Sequence, residues 1–236
     1  MNLFTTDLKV FLKHYKAKEQ TVLNIENKRM AFLGDSITEG RGVADIKDVF
    51  WKNFEANDNC TVFGYGISGT RIAKQNPPEQ GERYFLSRVP QMEENMDVVV
   101  VFGGTNDYGH GTAPFGKMSD RTDDTFYGAT HNLMLALINK YPKATIVFMT
   151  PLHRINEHNV YNERGLRNVG CLEDYANIIK EVAAYYAIPV LDLYRMSGMQ
   201  PDVPVLRELY MPDGLHPSPA GHELIYNRLK GFLETL

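Results

Sequence analysis

The sequence predicts an α/β fold built on a parallel sheet, and two observations support this. Five short apolar runs are separated by segments with helical periodicity, the pattern of strands joined by crossover helices. Most runs are unbroken rather than alternating, as expected for strands covered on both faces. The runs span residues 30–33, 60–63, 97–102, 145–149 and 188–193.

The helices between these runs are indicated by apolar spacing and by capping residues. Ser218 followed by Pro219 predicts the start of the last helix, since serine caps a helix and proline suits its first turn. Another helix is predicted by one apolar stripe at helical spacing. Its members are Tyr175, Ile178, Ile179, Val182, Ala183 and Tyr186.

The chain has 236 residues, of which 43% are hydrophobic and 23% are charged. This length and composition indicate one globular domain. We assign residues 29–236 to this domain and residues 1–28 to a helical N-terminal extension. The balance of 25 basic and 29 acidic residues argues against a nucleic-acid partner. The longest apolar stretch, 98–102, is too short to cross a bilayer. Charged residues interrupt every apolar run near the N-terminus, which argues against a signal peptide. We therefore expect a cytoplasmic protein with no membrane partner.

The N-terminal extension carries an apolar stripe of its own. Leu8, Phe11, Leu12 and Tyr15 fall on one face of a helix. This face packs either onto the same domain or onto a second copy of the chain, which would make the protein a homo-oligomer.

Three motifs follow predicted strands and carry the groups that nucleophilic catalysis needs. A glycine turn with a serine at its tip, Gly34-Asp35-Ser36, follows the first strand. Gly103-Gly104-Thr105-Asn106-Asp107 follows the third strand, and Asp213-Gly214-Leu215-His216 follows the fifth. Because ligands bind beyond the carboxyl ends of parallel strands, these motifs are expected at one site. Together they supply a nucleophile, a base with an acid to orient it, and oxyanion donors.

These motifs, with Gly66-Ile67-Ser68-Gly69, resemble the four blocks of the SGNH (GDSL) hydrolase family of serine esterases and lipases. The resemblance runs from about Met30 to the end of the chain, in family order. It implies a three-layer α/β/α sandwich with flavodoxin-like strand order 2-1-3-4-5. It also matches Gly69 to the oxyanion glycine. One departure is Gly64, where many members carry asparagine.

We assign Ser36 as nucleophile, His216 as general base and Asp213 as its orienting acid. The Ser36 N–H, the Gly69 N–H and the Asn106 amide form the oxyanion hole. Asp35 and Asp107 are expected to accept structural hydrogen bonds in loops. Three of these assignments have a simpler alternative. Ser36 could begin a capping box over residues 36–39, Asp213-Gly214 could be only a turn, and Asn106 could be a turn asparagine beside glycine.

One further motif points to a different class of protein. Residues 64–69 match the dinucleotide pattern G-x-G-x-x-G after a predicted strand. Pro77 and Pro78 would interrupt the helix that this pattern requires, which argues against a nicotinamide or flavin cofactor.

The sequence thus predicts a serine ester hydrolase that needs no cofactor and no metal. The loop over 152–170 is polar, which favours a small acyl ester, such as acetyl, of a polar alcohol or carbohydrate. The alternatives are an acyltransferase, a lysophospholipase or thioesterase on the same site, and a non-catalytic carbohydrate-binding module.

Overall fold

The computed structural model describes residues 23–75, 77 and 83–236. Its sheet has five strands, all parallel, in the order β2-β1-β3-β4-β5, which confirms the predicted fold class and strand order. The strands are β1 (Arg29–Gly34), β2 (Thr61–Gly66), β3 (Val98–Phe102), β4 (Thr145–Met149) and β5 (Val190–Leu191).

Two strands, β2 and β5, depart from the predicted runs by more than one residue at an end. β2 continues to Gly66, because its last three residues still pair with β1. β5 has only two residues, since the side chain of Asp192 accepts the Arg195 N–H and begins a helix there. The prediction of a six-residue fifth strand was therefore wrong at both ends.

Successive residues of the central strands face opposite sides of the sheet, so each strand contributes to two cores. Val99 and Val101 of β3 belong to the core on one face, and Val98 and Val100 belong to the core on the other. All five residues of β3 are buried, as the unbroken apolar run predicts. β2, at the sheet edge, is only half buried.

Helices cover both faces of the sheet. The α-helices are α1 (Ser36–Glu39), α2 (Lys52–Asp58), α3 (Phe85–Arg88), α4 (Thr105–His110), α5 (Phe126–Lys140), α6 (Leu172–Tyr185), α7 (Leu193–Met196), α8 (Pro204–Tyr210) and α9 (Pro219–Leu233). Two 3₁₀ turns lie at Ile46–Asp48 and Val89–Gln91. Apolar residues of α5 and α6 lie in one core and those of α2 and α9 in the other, which gives three layers.

The predicted helix signals are mostly confirmed. Ser218 caps α9 by accepting the Gly221 N–H, with Pro219 in the first turn. The apolar stripe of α6 is buried, except that Tyr186 is the C-terminal cap rather than a helical residue.

The predicted helical extension spans residues 1–28. Residues 1–22, which carry its apolar stripe, lie outside the described part of the chain, and residues 23–28 form a loop with a turn rather than a helix. Among the residues described, no helix has the length and apolar character needed to span a membrane.

Candidate active site

The ends of three neighbouring strands bring the sequence motifs together. Gly34, the last residue of β1, pairs with Gly66 of β2 on one side and with Phe102 of β3 on the other. Ser36, Gly69 and Asn106 each follow one of these paired residues by two to four positions. The three motifs therefore meet at one edge of the sheet, as expected from the strand pattern.

The turn after β1 presents Ser36 as the first residue of α1. Asp35, and not Ser36, caps this helix, because its Oδ1 accepts the Ile37 N–H at 3.0 Å. The alternative of a capping box over residues 36–39 is therefore wrong, and Glu39 instead binds the backbone N–H and hydroxyl of Ser68. α1 ends after one turn at Gly40, whose φ of 99° lies in the left-handed region.

The Ser36 hydroxyl is hydrogen-bonded to His216. Only 6% of the serine is exposed. Its Oγ lies 3.0 Å from His216 Nε2, and His216 Nδ1 lies 2.7 Å from Asp213 Oδ2. Because a carboxylate can only accept, the Nδ1 carries the proton and a neutral ring leaves Nε2 free to accept from the serine. Ser36, His216 and Asp213 thus form one hydrogen-bonded chain.

Asp213 is held by its own loop. Its Oδ1 accepts the backbone N–H groups of Leu215 and His216 at 2.8 and 2.7 Å. Partial burial by itself would raise the pKa of Asp213, but the hydrogen bonds from His216 and Leu215 outweigh it and hold that pKa below its ordinary value. The carboxylate is therefore ionised at neutral pH, although 55% of its side chain is exposed.

Two glycines let other segments approach this loop closely. Gly214 has φ 79°, and its carbonyl oxygen accepts the Ile155 N–H at 2.9 Å. A Cβ on Gly42 would lie 2.6 Å from the Pro217 carbonyl oxygen and 3.1 Å from the His216 Cβ. The loop that carries the histidine therefore contacts both the segment after α1 and the loop after β4.

Two of the predicted oxyanion donors, Gly69 and Asn106, lie in the loop after β2 and in the first turn of α4. Gly69 has φ 73°, a conformation suited to glycine. Asn106 Nδ2 donates to the Thr70 carbonyl at 3.0 Å, which ties the asparagine directly to the glycine loop. Within the described residues, neither the Ser36 N–H nor the Gly69 N–H donates a hydrogen bond, so both can receive an anion.

The two remaining acids of the motifs accept loop hydrogen bonds, as predicted. Asp107 accepts the N–H groups of Ile72 and Ala73, both at 2.9 Å, and so fastens the segment after Gly69 onto α4. Burial raises the pKa of Asp107 to about 7, against the opposing effect of these N–H groups and of Arg71. Burial likewise raises the pKa of Asp35 to about 7, against its hydrogen bond from Ile37 and the charge of Arg88.

Arg88 is a residue of the site that sequence reasoning missed. It is only 5% exposed, and its Nη1 donates to the carbonyls of Gly34 and Tyr65, while Nη2 donates to the Thr70 hydroxyl. It therefore joins the ends of β1 and β2 to the glycine loop. Burial lowers its pKa to about 10, although Asp35 opposes this shift. No local motif marks this arginine.

Arg71 and His110 were missed as well. His110 Nε2 lies 3.1 Å from Asn106 Oδ1, and His110 Nδ1 lies 2.8 Å from Arg71 Nη1. A signal was present for the histidine, because it lies four residues after Asn106 and side chains at that spacing meet on a helix.

The glycines of the dinucleotide pattern serve close packing. A Cβ on Gly64 would collide with the Trp51 ring at 2.4 Å or more, and one on Gly66 would collide with the backbone of Thr38 and Glu39. The segment that follows β2 is a loop through residue 75. Gly64, at the position where many family members carry asparagine, thus makes room for the tryptophan.

One cavity borders the base of the site, and a second lies between α4 and the loop after β4. The first, of about 560 Å³, lies beside His216 and Asp213 and is lined on its other side by Glu39, Arg41 and Val43. The second, of about 230 Å³, lies in the loop after β4. Its walls are Tyr108, Gly109, Arg154, Asn156, Asn159, Tyr161, Asn162 and Glu163.

Comparison with known proteins identifies the family. The model of the GDSL-like lipase/acylhydrolase family matches residues 32–224. One solved structure is 33% identical, with a TM-score of 0.78, and the match covers 90% of this chain and 98% of that one. A protein from Lactobacillus plantarum is 32% identical, with a TM-score of 0.76 and coverage of 89% and 98%.

A lipase/acylhydrolase from Enterococcus faecalis shares the fold, at 21% identity and a TM-score of 0.60, with coverage of 88% and 95%. No match was found among curated proteins. The family model covers more than half of the chain, and it agrees with the resemblance drawn from the four motifs. The chain therefore belongs to the GDSL-like lipase/acylhydrolase (SGNH hydrolase) family and is an ester hydrolase.

Proposed function

We propose that the protein is a serine esterase that removes a small acyl group, such as acetyl, from a polar alcohol or carbohydrate. The observation that carries the proposal is the hydrogen-bonded chain from Ser36 through His216 to Asp213. A serine becomes nucleophilic when a neutral histidine accepts its proton, and the 3.0 Å contact of His216 Nε2 with Ser36 Oγ suits that transfer.

The reaction would proceed in two halves. Ser36 Oγ attacks the ester carbonyl carbon while His216 takes the hydroxyl proton, and the oxyanion is bound by the Ser36 N–H, the Gly69 N–H and the Asn106 amide. Collapse of this intermediate breaks the bond to the alcohol, which leaves with the proton from His216. Water then attacks the acyl-enzyme and loses a proton to His216. Collapse of this second intermediate breaks the bond to Ser36 Oγ, which takes the proton back from His216 as the carboxylic acid leaves.

The polar walls of the site support the substrate class. The cavity beside His216 is lined by charged side chains of Glu39, Arg41 and Asp213, which a long acyl chain would have to desolvate. The cavity after β4 offers amides, a guanidinium and a tyrosine, groups that bind hydroxyls by hydrogen bonds. These features favour an acetylated polar alcohol or sugar over a lysophospholipid or a long-chain thioester.

Hydrolysis is favoured over acyl transfer by the openness of the base loop. The cavity of about 560 Å³ that His216 and the half-exposed Asp213 line has room for water beside the base. An acyltransferase needs the opposite, a site that excludes water from the acyl-enzyme.

Two measurements test the proposal. A panel of acetyl, butyryl and long-chain esters, with acetylated saccharides, should show the highest kcat/KM for acetyl esters. A fluorophosphonate should label the wild-type protein and fail to label Ser36→Ala. A preference for long-chain esters would contradict the proposed substrate class. Acyl product formed mainly on an added alcohol acceptor would show an acyltransferase instead of a hydrolase. Unchanged activity in Ser36→Ala would remove the nucleophile.

The compartment and the oligomeric state stay predictions. Deleting residues 1–22 and measuring the mass of the particle by light scattering would test whether the N-terminal stripe joins two copies.

A further inference from the structure

The side chain of Asn106 can serve an oxyanion in only one of its two orientations. Turning the amide by 180° exchanges its N–H₂ for its carbonyl oxygen, and an oxygen aimed at the oxyanion would repel it. Some group must therefore fix the orientation before substrate binds.

The partners of Asn106 leave one consistent arrangement of hydrogens. The Thr70 carbonyl can only accept, so the amide nitrogen, at 3.0 Å, faces it. The amide oxygen then faces His110 Nε2, at 3.1 Å, which must carry a hydrogen. A neutral imidazole has no hydrogen on its other nitrogen, and His110 Nδ1 indeed lies 2.8 Å from Arg71 Nη1, a group that can only donate.

We propose that Arg71 and His110 are positioning residues that fix the Asn106 amide with its second N–H free for the oxyanion. The inference rests on the proposed function, in which this amide binds the oxyanion. Arg71 selects the tautomer of His110, and His110 holds the amide oxygen. The chain of hydrogen bonds thus acts on the reaction only through Asn106.

The surroundings of His110 keep its ring neutral. A proton on Nδ1 would place an N–H against an N–H of Arg71 and bring two positive charges together. Burial first, and the charge of Arg71 second, lower the pKa of His110 to about 4. Of the other charges that face the ring, Glu163 favours protonation, while Arg164 and Arg154 oppose it.

The ring also lies close to the glycine loop. Its Cε1 is 4.0 Å from the place where a Gly69 Cβ would stand. His110 could therefore act merely as a wall of the oxyanion pocket, and the experiment must separate steric filling from hydrogen bonding.

Steady-state kinetics of five variants make this separation: three of His110, Asn106→Ala, and the double variant. His110→Ala should lower kcat about tenfold with little change in KM, the loss that corresponds to one ordinary hydrogen bond. His110→Gln should recover most of the activity, because its amide offers both a donor for Asn106 and an acceptor for Arg71. His110→Leu fills the space without these groups and should resemble His110→Ala. In an Asn106→Ala background, His110→Ala should lower kcat no further.

His131 provides the matched control. It is fully buried, whereas His110 is half-buried, and its ring also has two hydrogen-bond partners, the Met118 carbonyl and the Tyr186 hydroxyl. His131→Ala should lower the melting temperature and leave the kcat of the folded protein unchanged. Equal losses from His110→Ala with and without Asn106, or full activity in His110→Leu, would overturn the proposal.

A measurement that does not depend on activity completes the test. Nitrogen-15 NMR of the full chain should show His110 protonated on Nε2 and unprotonated on Nδ1 at neutral pH, and Arg71→Met should disturb this state. Finding the hydrogen on Nδ1 would overturn the proposal. If no ester is cleaved and Ser36 resists the fluorophosphonate, the proposed function fails, and the tautomer still decides whether Arg71 and His110 fix the amide.

Discussion

The two sides of Ser36 are built in different ways. The base side, residues 213–216, is made within one loop: Asp213 binds groups two and three positions away, and its side chain is 55% exposed. The oxyanion side joins residues 70–73 to α4 through buried and part-buried hydrogen bonds between residues 34 to 39 positions apart. The base side can therefore lose activity without unfolding, whereas changes on the oxyanion side also affect the core.

The largest effect is expected for Asp213→Asn. The amide oxygen of the asparagine will accept the two backbone N–H groups that Asp213 Oδ1 accepts in the wild type. The amide N–H₂ therefore faces His216 Nδ1. That nitrogen must then accept, so the hydrogen moves to Nε2 and His216 no longer takes the serine proton. We expect kcat to fall about ten-thousandfold, with thermal stability close to wild type.

Asp213→Ala is the control for this tautomer effect. It removes the carboxylate without imposing the wrong hydrogen, so kcat should fall less than in Asp213→Asn. Equal losses in the two variants would mean that the charge of Asp213, rather than the tautomer, is what matters.

On the oxyanion side, Asn106→Ala should lower kcat by roughly a hundredfold to a thousandfold. It should also lower the free energy of unfolding by about 1 kcal/mol, because the Thr70 carbonyl and the His110 N–H lose their partner. Asn132→Ala is the matched control, because the Asn132 amide donates to the Arg121 carbonyl and the Asp123 carboxylate away from the site. This variant should keep the wild-type kcat. A change confined to KM would indicate ground-state binding instead of oxyanion stabilisation.

Acid should reveal a buried histidine beneath the base side. His222 is fully buried, stacks on Phe50 at 6.0 Å and accepts the Phe50 N–H through Nδ1. Burial first, and the charge of His216 second, lower the pKa of His222 to about 4. Because the unfolded chain binds this proton near pH 6.5, the histidine's contribution to stability is complete above that pH and is lost as pH falls toward 4.

His222→Asn, which keeps an acceptor for the Phe50 N–H and does not titrate, isolates this contribution. Between about pH 6.5 and 4 the wild type should lose roughly 3 kcal/mol of stability relative to the variant. Denaturant unfolding at several pH values measures the difference. A difference that stays constant with pH would mean that folding does not lower the pKa of His222.

The smallest effect comes from making the same substitution, aspartate to asparagine, at Asp107. Both of its oxygens accept backbone N–H groups, so an amide would set its own N–H₂ against one of them. We expect a loss of about 2 kcal/mol in unfolding free energy, measured on the alkaline side of its pKa of about 7. The effect on kcat should be smaller than in Asp213→Asn; the reverse order would contradict the contrast between the two sides.

The sequence by itself determined much of this protein, because local patterns carry local structure. Unbroken apolar runs identified the central strands, a serine before a proline identified the start of α9, and the spacing of Asp213 and His216 allowed their contact. Ser36, Gly69 and Asn106 could be assigned to one site because parallel strands place their carboxyl ends together. The strand order came from resemblance to a family.

Tertiary structure alone decided what depends on distant partners. The short β5 ends because the Asp192 side chain caps a helix, and Asp35 rather than Ser36 caps α1. Arg88 and Arg71 are buried, and they donate hydrogen bonds to carbonyls and an imidazole of other elements. No neighbouring residue in the chain indicates that they belong to the site. A buried donor requires an acceptor, but the sequence does not state which acceptor the fold will bring to it.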